Sequence, residues 1–470
     1  MVSASSAPSS VRRAVSVLVP TGMLGAGFDP ATVERGLALG ADVIAVDGGS
    51  TDSGPYYLGA GEAKTADAAV RRDLRILLSA AHRASIPLIV GSCGTSGTDS
   101  GVDWVSGIVR EICAEDALDL PIAEIYSEQR AEDLVPLLRA GRIQPLEPRT
   151  ALDAATLTGC SHIVGMMGHE PIALALEAGA QVVLAGRATD TALAAAVPLM
   201  RGMPPGPTWH AAKIVECGGQ CTTDPRAGGV LARIDEGGFT VEPLDPNAAC
   251  TPNSVAAHML YETVNPFTMR EPAGTLQVAD ARYTAVDART VRVEGSRFEF
   301  AQQHTIKLEG AALTGYGTMS FVGIRDPHVL ASVDEWASLL RKILADRVHS
   351  VLGLAEDAWD ADLRLYGHNA ILDELETATA PPREVGVMLL VSASTQELAT
   401  AISKIANPLL LHLPLPDMAY LPSFAFAFSP AHIERGPGYA FVLNHVVEVD
   451  DPVELFRIRI DNDLPEATGA

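Results

Sequence analysis

Five stretches of the chain combine acids, small hydroxyls and glycines in a way that suits proton transfer and the holding of an anion. They are Thr21-Gly-Met-Leu-Gly25, Asp47-Gly-Gly-Ser-Thr-Asp-Ser-Gly54, Ser92-Cys-Gly-Thr-Ser-Gly97, Gly165-Met-Met-Gly-His-Glu170 and Gly186-Arg-Ala-Thr-Asp190. Glycine lets backbone N–H groups approach a ligand, and Ser and Thr add donors. Thr21, Gly22, Gly48, Gly49, Ser50, Thr51, Ser92, Gly94, Thr95 and Gly186 are therefore the expected substrate-binding residues. Arg187 joins them as a group able to clamp a carboxylate with two parallel hydrogen bonds, or else to pair with Asp190. Any one of these loops is also what a tight turn requires; the five together argue for a site.

The acid–base candidates sit in the same loops. Asp47 closes an apolar run, and Asp52 follows five residues on, so two neighbouring carboxylates can push their pKa values apart. Asp52 is equally suited to capping a turn. His169 is a proton relay candidate near neutral pH, while Glu170 before Pro171 also suits a helix start. Asp190 completes the set of acids. Cys217, with His210 or His169 as base, is the one nucleophile candidate, against the plainer reading of a buried thiol.

Other chemistries find little support. The pair Cys217 and Cys221 lacks two further ligands at zinc spacing, and no metal site is expected. There is no G-x-x-x-x-G-K-[ST], no intact G-x-G-x-x-G, no H-E-x-x-H and no G-x-S-x-G, so no cofactor is expected either. Six cysteines scattered over 470 residues do not form a disulfide framework.

The elements that must position these residues alternate in the first half. Val15–Val19, Asp42–Val46, Pro87–Val90, Ile122–Tyr126, His162–Val164 and Gln181–Ala185 read as strands, separated by Ala- and Leu-rich helical stretches. This order predicts an α/β fold, with a mainly parallel sheet covered by helices on both faces. Either an open sheet or a closed barrel fits, and the open sheet is favoured. Ligands then bind beyond the carboxyl ends of the strands, where the five loops fall. The organisation expected is a flexible tail at 1–12, an α/β domain at 13–238 and a β-rich α+β region at 239–377. After a Pro-containing break at Ala378–Arg383 comes a small α+β C-terminal domain at 384–470.

Composition narrows the partners. With 47% hydrophobic residues the chain is globular, and 58 acidic against 34 basic residues argue against nucleic acid and against an anionic membrane surface. No secretory signal or apolar run of about 20 residues is visible, so a cytoplasmic protein is expected. A homo-oligomer is the base-rate expectation for an enzyme of this class.

Taken together the motifs resemble the acyclic terpene utilisation AtuA-like family. The resemblance rests on Pro20–Gly25, Ile44–Gly59, Ile163–Gly168, Ala185–Asp190, Pro205–His210, Glu216–Gly218, Cys250–His258 and Gly323–Pro327. It continues into the tail at Thr395–Ala399, Phe426–Pro430 and Glu448–Pro452. Where the family motif usually reads Asp-Ala-Gly, this chain has Asp47-Gly48-Gly49. The resemblance implies a role in the breakdown of branched acyclic terpenoids such as citronellol and geraniol, through branched unsaturated acyl-CoA and carboxylated intermediates. It supplies no catalytic residue set, but it adds weight to Asp47, Ser50, Thr51, Asp52, Arg187 and Asp190.

Three functions fit. The first is a lyase, hydratase or isomerase acting on a small branched unsaturated carboxylate or its CoA thioester, with Asp47 or Asp52 moving a proton beside a carbonyl. The second is a hydrolase or acyl-transfer enzyme using Cys217, which thiol alkylation would inactivate. The third is a non-catalytic subunit that binds such acids without turning them over.

Overall fold

A computed structural model describes residues 14–147, 151–226, 228–377 and 380–461. The expected tail at 1–12 lies outside the described residues, as do Ala378 and Thr379 of the expected break. The chain divides into two compact units, one drawn from Met1–Ala312 and Phe441–Ala470, the other Leu313–Ala440.

The first unit is built on an open ten-stranded sheet. Its middle five strands run Ala14–Val19, Val43–Asp47, Leu88–Gly91, Val182–Ala185 and Ile122–Tyr126, all parallel. Five antiparallel strands extend it. Val230–Asp235, Gly238–Pro243, Val291–Glu294 and Arg282–Ala285 follow one another on the Ala14–Val19 side, and Arg457–Asp461 joins Ile122–Tyr126. The sheet is thus mixed rather than mainly parallel. The reason is connection length: only Glu236 and Gly237 separate Val230–Asp235 from Gly238–Pro243. A parallel crossover needs a dozen residues or more.

One expected placement changes with it. His162–Met166 leaves the parallel series and pairs antiparallel with Lys307–Ala311. A small domain at 384–470 is not clearly shown, since Phe441–Ala470 falls in the first unit and the stretch before it in the second.

Why the parallel strands read as continuous apolar runs is plain from their packing. Val17, Val19, Val43, Ala45, Ile89 and Ala185 point into one core with the helices Asp190–Met200 and Pro205–Val215. Leu18, Ile44, Val46, Leu88, Val90 and Leu184 point into another, against Asp67–Ala84 and Asp99–Asp116. Successive side chains alternate faces, and both faces are dry. The helices begin where their sequences supply caps: Thr98 accepts from Gly101 N–H, and Thr189 from Ala192 N–H.

In the second unit, helices Val333–Leu352 and Gln396–His412 pack on a sheet that includes Trp359–Tyr366 and Val385–Ala393. A buried hydroxyl seam joins that sheet to the second helix, Thr318 to Thr400 at 3.1 Å and Ser320 to Ser403 at 2.9 Å.

The carboxyl edge of the parallel strands is tight. Gly97 has φ +70°, and a Cβ there would meet the Arg187 backbone nitrogen at 2.1 Å. Only glycine combines that backbone with that approach. Gly107 is the contrast, exposed on the helix Asp99–Asp116 with open space where a Cβ would stand. Gly97→Ala is expected to lower stability by more than about 2 kcal/mol, and Gly107→Ala to raise it by roughly 0.5–1 kcal/mol. Urea unfolding midpoints of the two variants check both signs.

Candidate active site

The loops after the strands Ala14–Val19, Val43–Asp47 and Val182–Ala185 meet a glycine-rich turn after the helix Pro205–Val215. Between them is a cavity of about 410 Å³, lined among others by Thr21, Gly22, Asp47, Gly49, Ser50, Asp52, Asp190, Cys217, Tyr261 and Glu262. Asp47 comes to its wall because it ends a buried strand, and its carbonyl accepts the Leu24 N–H at 2.7 Å, tying two loops together. Ser50 caps the short turn Thr51–Ser53 by accepting from Asp52 N–H at 3.2 Å. Gly22 packs on Cys217, where a Cβ would lie 3.0 Å from the Cys217 carbonyl oxygen.

Asp47 is the most telling of these groups. It is 8% exposed, and its Oδ1 is buried with no hydrogen-bond partner among the described residues. Burial and the neighbouring Asp190 charge push its carboxyl well above the usual range, against the pull of Arg187, Ser92 and the Gly48 backbone. Asp190 is raised too, by burial first, with Arg187 drawing it down and Glu262 and Asp52 adding to the rise. Deeper in, Glu271 accepts hydrogen bonds from Thr191 at 2.7 Å and Thr189 at 3.2 Å, yet burial holds it up at about 7. Burial likewise lifts Glu216 to about 8 despite its ion pair with Lys213. These acids keep protons that exposed carboxyls would have lost.

Arg187 does not act as an open clamp. It is 5% exposed, and its Nε donates to Glu309 Oε2 at 2.9 Å, with Nη1 3.2 Å from Ser92 Oγ and 3.8 Å from Asp190. Glu309 also accepts from Thr51 Oγ1 at 3.1 Å and Lys307 Nζ at 2.7 Å. Burial alone would raise the Glu309 carboxyl, but the Arg187 and Lys307 charges outweigh it and bring it down to about 2.

Other expected binding groups are spent inside the protein. Gly48 N–H donates to Gly91 O, Gly186 N–H to Ile125 O, and Thr95 Oγ1 accepts from Lys64 N–H. Gly94 packs on Gly101. Ser92 and Thr95 hold positive φ of 43° and 80°, rare for residues with a side chain. His169 and Glu170 are not among the residues lining the cavity. They form a separate half-buried group with His304, whose Nδ1 is 3.9 Å from Glu170, and His169 packs edge-on to Trp209. Burial, with the His304 charge, lowers His169 to about 4, so it stays neutral at physiological pH.

The chain matches the model of the acyclic terpene utilisation family protein AtuA over residues 60–419. The chain belongs to this family. A comparison with curated proteins finds no match. The family match begins after the loop at Asp47–Gly54 and ends before Phe426–Pro430, so those stretches of the resemblance lie outside it. For this AtuA-family chain the match implies involvement in acyclic terpene utilisation. No helix among the described residues is long and apolar enough to cross a membrane.

Several groups of the site carried no usable signal in the sequence. Glu271 and Glu309 lie in strands, away from any glycine-rich loop, and Tyr261 and Glu262 follow a short helix. The imidazole near Cys217 is that of His258, not His210 or His169. His210 is instead hydrogen-bonded to Ser296 at 2.7 Å and Tyr283 at 3.1 Å. His258 ended one of the stretches resembling the family, but nothing in its spacing pointed to Cys217. The Cys217 thiol is held protonated by burial and by the Glu216 and Asp190 charges, which disfavours a thiolate nucleophile.

The Glu309 charge has a measurable consequence. Its folded pKa lies below its unfolded one, so the stability it contributes is full above the usual carboxyl range and is lost as pH falls toward 2. That contribution is about 3 kcal/mol at neutral pH. Glu309→Gln is expected to unfold more easily at pH 7, leaving Arg187 without its counter-charge, and to lose one proton's worth of slope between pH 4.3 and 2. Chemical denaturation of both proteins across that range checks it.

Proposed function

We propose that this cavity moves a proton at the carbon beside the carbonyl of a branched, unsaturated acyl thioester, as a hydratase, lyase or isomerase. What carries this reading is the free Oδ1 of Asp47 at the wall of the cavity, in a carboxyl whose pKa burial and Asp190 have raised. A base or acid tuned upward in that way is suited to exchange protons near neutral pH. Asp190 and Asp52 stand in the same cavity as partners that take up or return the proton. The backbone of Thr21–Met23 and Gly49–Ser50 lines it as well, where amides suit a developing enolate oxygen.

Charge selects between the free acid and the thioester. The lining carries four carboxyl groups, Asp47, Asp52, Asp190 and Glu262, against one guanidinium, Arg226. Since Arg187 is occupied by Glu309, a free carboxylate would have little to meet at the inner wall. An uncharged thioester carbonyl fits there better, with the anionic part of the molecule outward at the exposed Arg226. The cavity's volume is within the range of roughly 300–1,000 Å³ typical for small-molecule sites. A cytoplasmic, homo-oligomeric enzyme remains the working setting for this chemistry.

Proton abstraction can be read without knowing the product. Incubated in D2O with a panel of branched, unsaturated acyl thioesters, the protein is expected to introduce deuterium beside the carbonyl, seen by mass spectrometry. Asp47→Asn should slow that exchange at least about a hundredfold while circular dichroism and thermal unfolding show an intact fold. Near-normal exchange in the variant would overturn the role of Asp47, and no exchange with any thioester would overturn the reaction class. Activity should also rise with pH through a value well above the ordinary carboxyl range when Asp47 acts as base.

A further inference from the structure

Beside Cys217, which lines the cavity, stand Glu216 and His258; each of the three offers one ligand atom, and those atoms lie within 4.8 Å of one another. Glu216 and Cys217 directly follow the helix Pro205–Val215, and His258 ends the helix Pro252–His258. Two further observations single this group out. His258 is 4% exposed, and its Nε2 is buried with no hydrogen-bond partner among the described residues. The ring does bond the Lys213 backbone, which by elimination engages Nδ1. A histidine held at one nitrogen by a backbone group, with the other left bare, is oriented as metal-ligating histidines are. A buried polar atom with no partner otherwise costs about 1–3 kcal/mol.

We propose that Glu216, Cys217 and His258 bind one divalent transition-metal ion of zinc type, with its fourth position open to the cavity. One thiolate, one imidazole and one carboxylate are the donors zinc takes, and three protein ligands with an open fourth place are its catalytic pattern. Zinc bonds of roughly 2.0–2.3 Å set tetrahedral ligand atoms about 3–4 Å apart. Small side-chain rotations supply that from the present spacing. Cys217 lines the cavity, so the open position faces the same space as Asp47 and Asp190. The excess of carboxylates there also suits a cation.

Binding requires two exchanges. The Cys217 thiol and the raised Glu216 carboxyl each release their proton to solvent, so that thiolate and carboxylate balance the two charges of the ion. Glu216 gives up Lys213, with which it is now paired, and Lys213 turns toward Asp190, whose charge it already feels. If the Lys213 ammonium instead holds the group closed, no metal binds.

The test uses the whole 470-residue chain, stripped with a chelator and titrated with Co2+. One ion per chain is expected, with a thiolate-to-cobalt charge-transfer band that Zn2+ abolishes by displacement. Cys217→Ser should remove the band. His258→Gln should weaken binding by more than the ~10–100-fold that a merely supporting partner costs. Because either variant risks misfolding, the unaltered protein supplies a second readout: Zn2+ should slow alkylation of Cys217 by iodoacetamide, followed on its peptide by mass spectrometry. Absence of the charge-transfer band, a band unchanged in His258→Gln, or alkylation of Cys217 indifferent to Zn2+ each overturns the site. These readouts do not involve turnover, so their failure is separable from failure of the proton-transfer reading.

Discussion

A buried ion pair, Arg187 with Glu309, holds the carboxyl edge of the parallel sheet together. Arg187 leaves the strand Val182–Ala185, and Glu309 comes from a strand outside that sheet, more than a hundred residues later. Thr51, Ser92 and Lys307 complete the group, so three of the glycine-rich loops are registered against one pair of charges. Desolvating two ions is expensive, and such a pair persists only when further hydrogen bonds satisfy its remaining donors and acceptors. Here they do. The closeness of Gly97 to the Arg187 backbone belongs to the same constraint, because a larger residue would displace the arginine from its partner.

That constraint shapes the chemistry by what it leaves over. With Arg187 largely neutralised by Glu309, the acids around the cavity have too little positive charge to ionise together. Asp47, Asp190 and Glu271 all lie above their ordinary range, and burial is the leading cause for each. The chain's acidity of −24 would say little by itself, since most acids are solvated. Concentrated in one cleft and buried there, the same residue types hold their carboxyls above the ordinary range. Besides Arg187, Lys213 and Arg226 stand near this cluster, one paired with Glu216 and the other exposed and paired with Asp224. The inner wall therefore suits an uncharged carbonyl or a metal cation better than a free carboxylate.

Much of the first unit was legible along the chain because both-face burial leaves a local mark. Val43-Ile-Ala-Val46 is apolar throughout, and Asp47 directly after it already implied a carboxylate at the sheet edge. Asp52 and Asp190 also line the cavity, as their loop positions suggested, and Cys217 joins them from outside those loops. His169 and Glu170 went astray for a definite reason. Their strand, His162–Met166, pairs with Lys307–Ala311 instead of joining the parallel series, and its loop does not line the cavity. Periodicity identifies a strand but not its neighbour. The antiparallel additions to the sheet escaped for the same reason, since Arg457–Asp461 reads like any short strand until its partner is known.

The sequence by itself determined the alternating α/β order, the loops that follow the strands and the identity of the acids at their tips. These follow from local rules: period-two burial, caps, and glycine where the backbone must turn. Only the tertiary structure decided how those acids are charged and what stands beside them. Burial, the counter-charge from Glu309, and the approach of His258 to Glu216 and Cys217 depend on contacts between residues far apart in the chain. Electrostatics in a protein interior acts through space and through the exclusion of water, and neither is written in residue order.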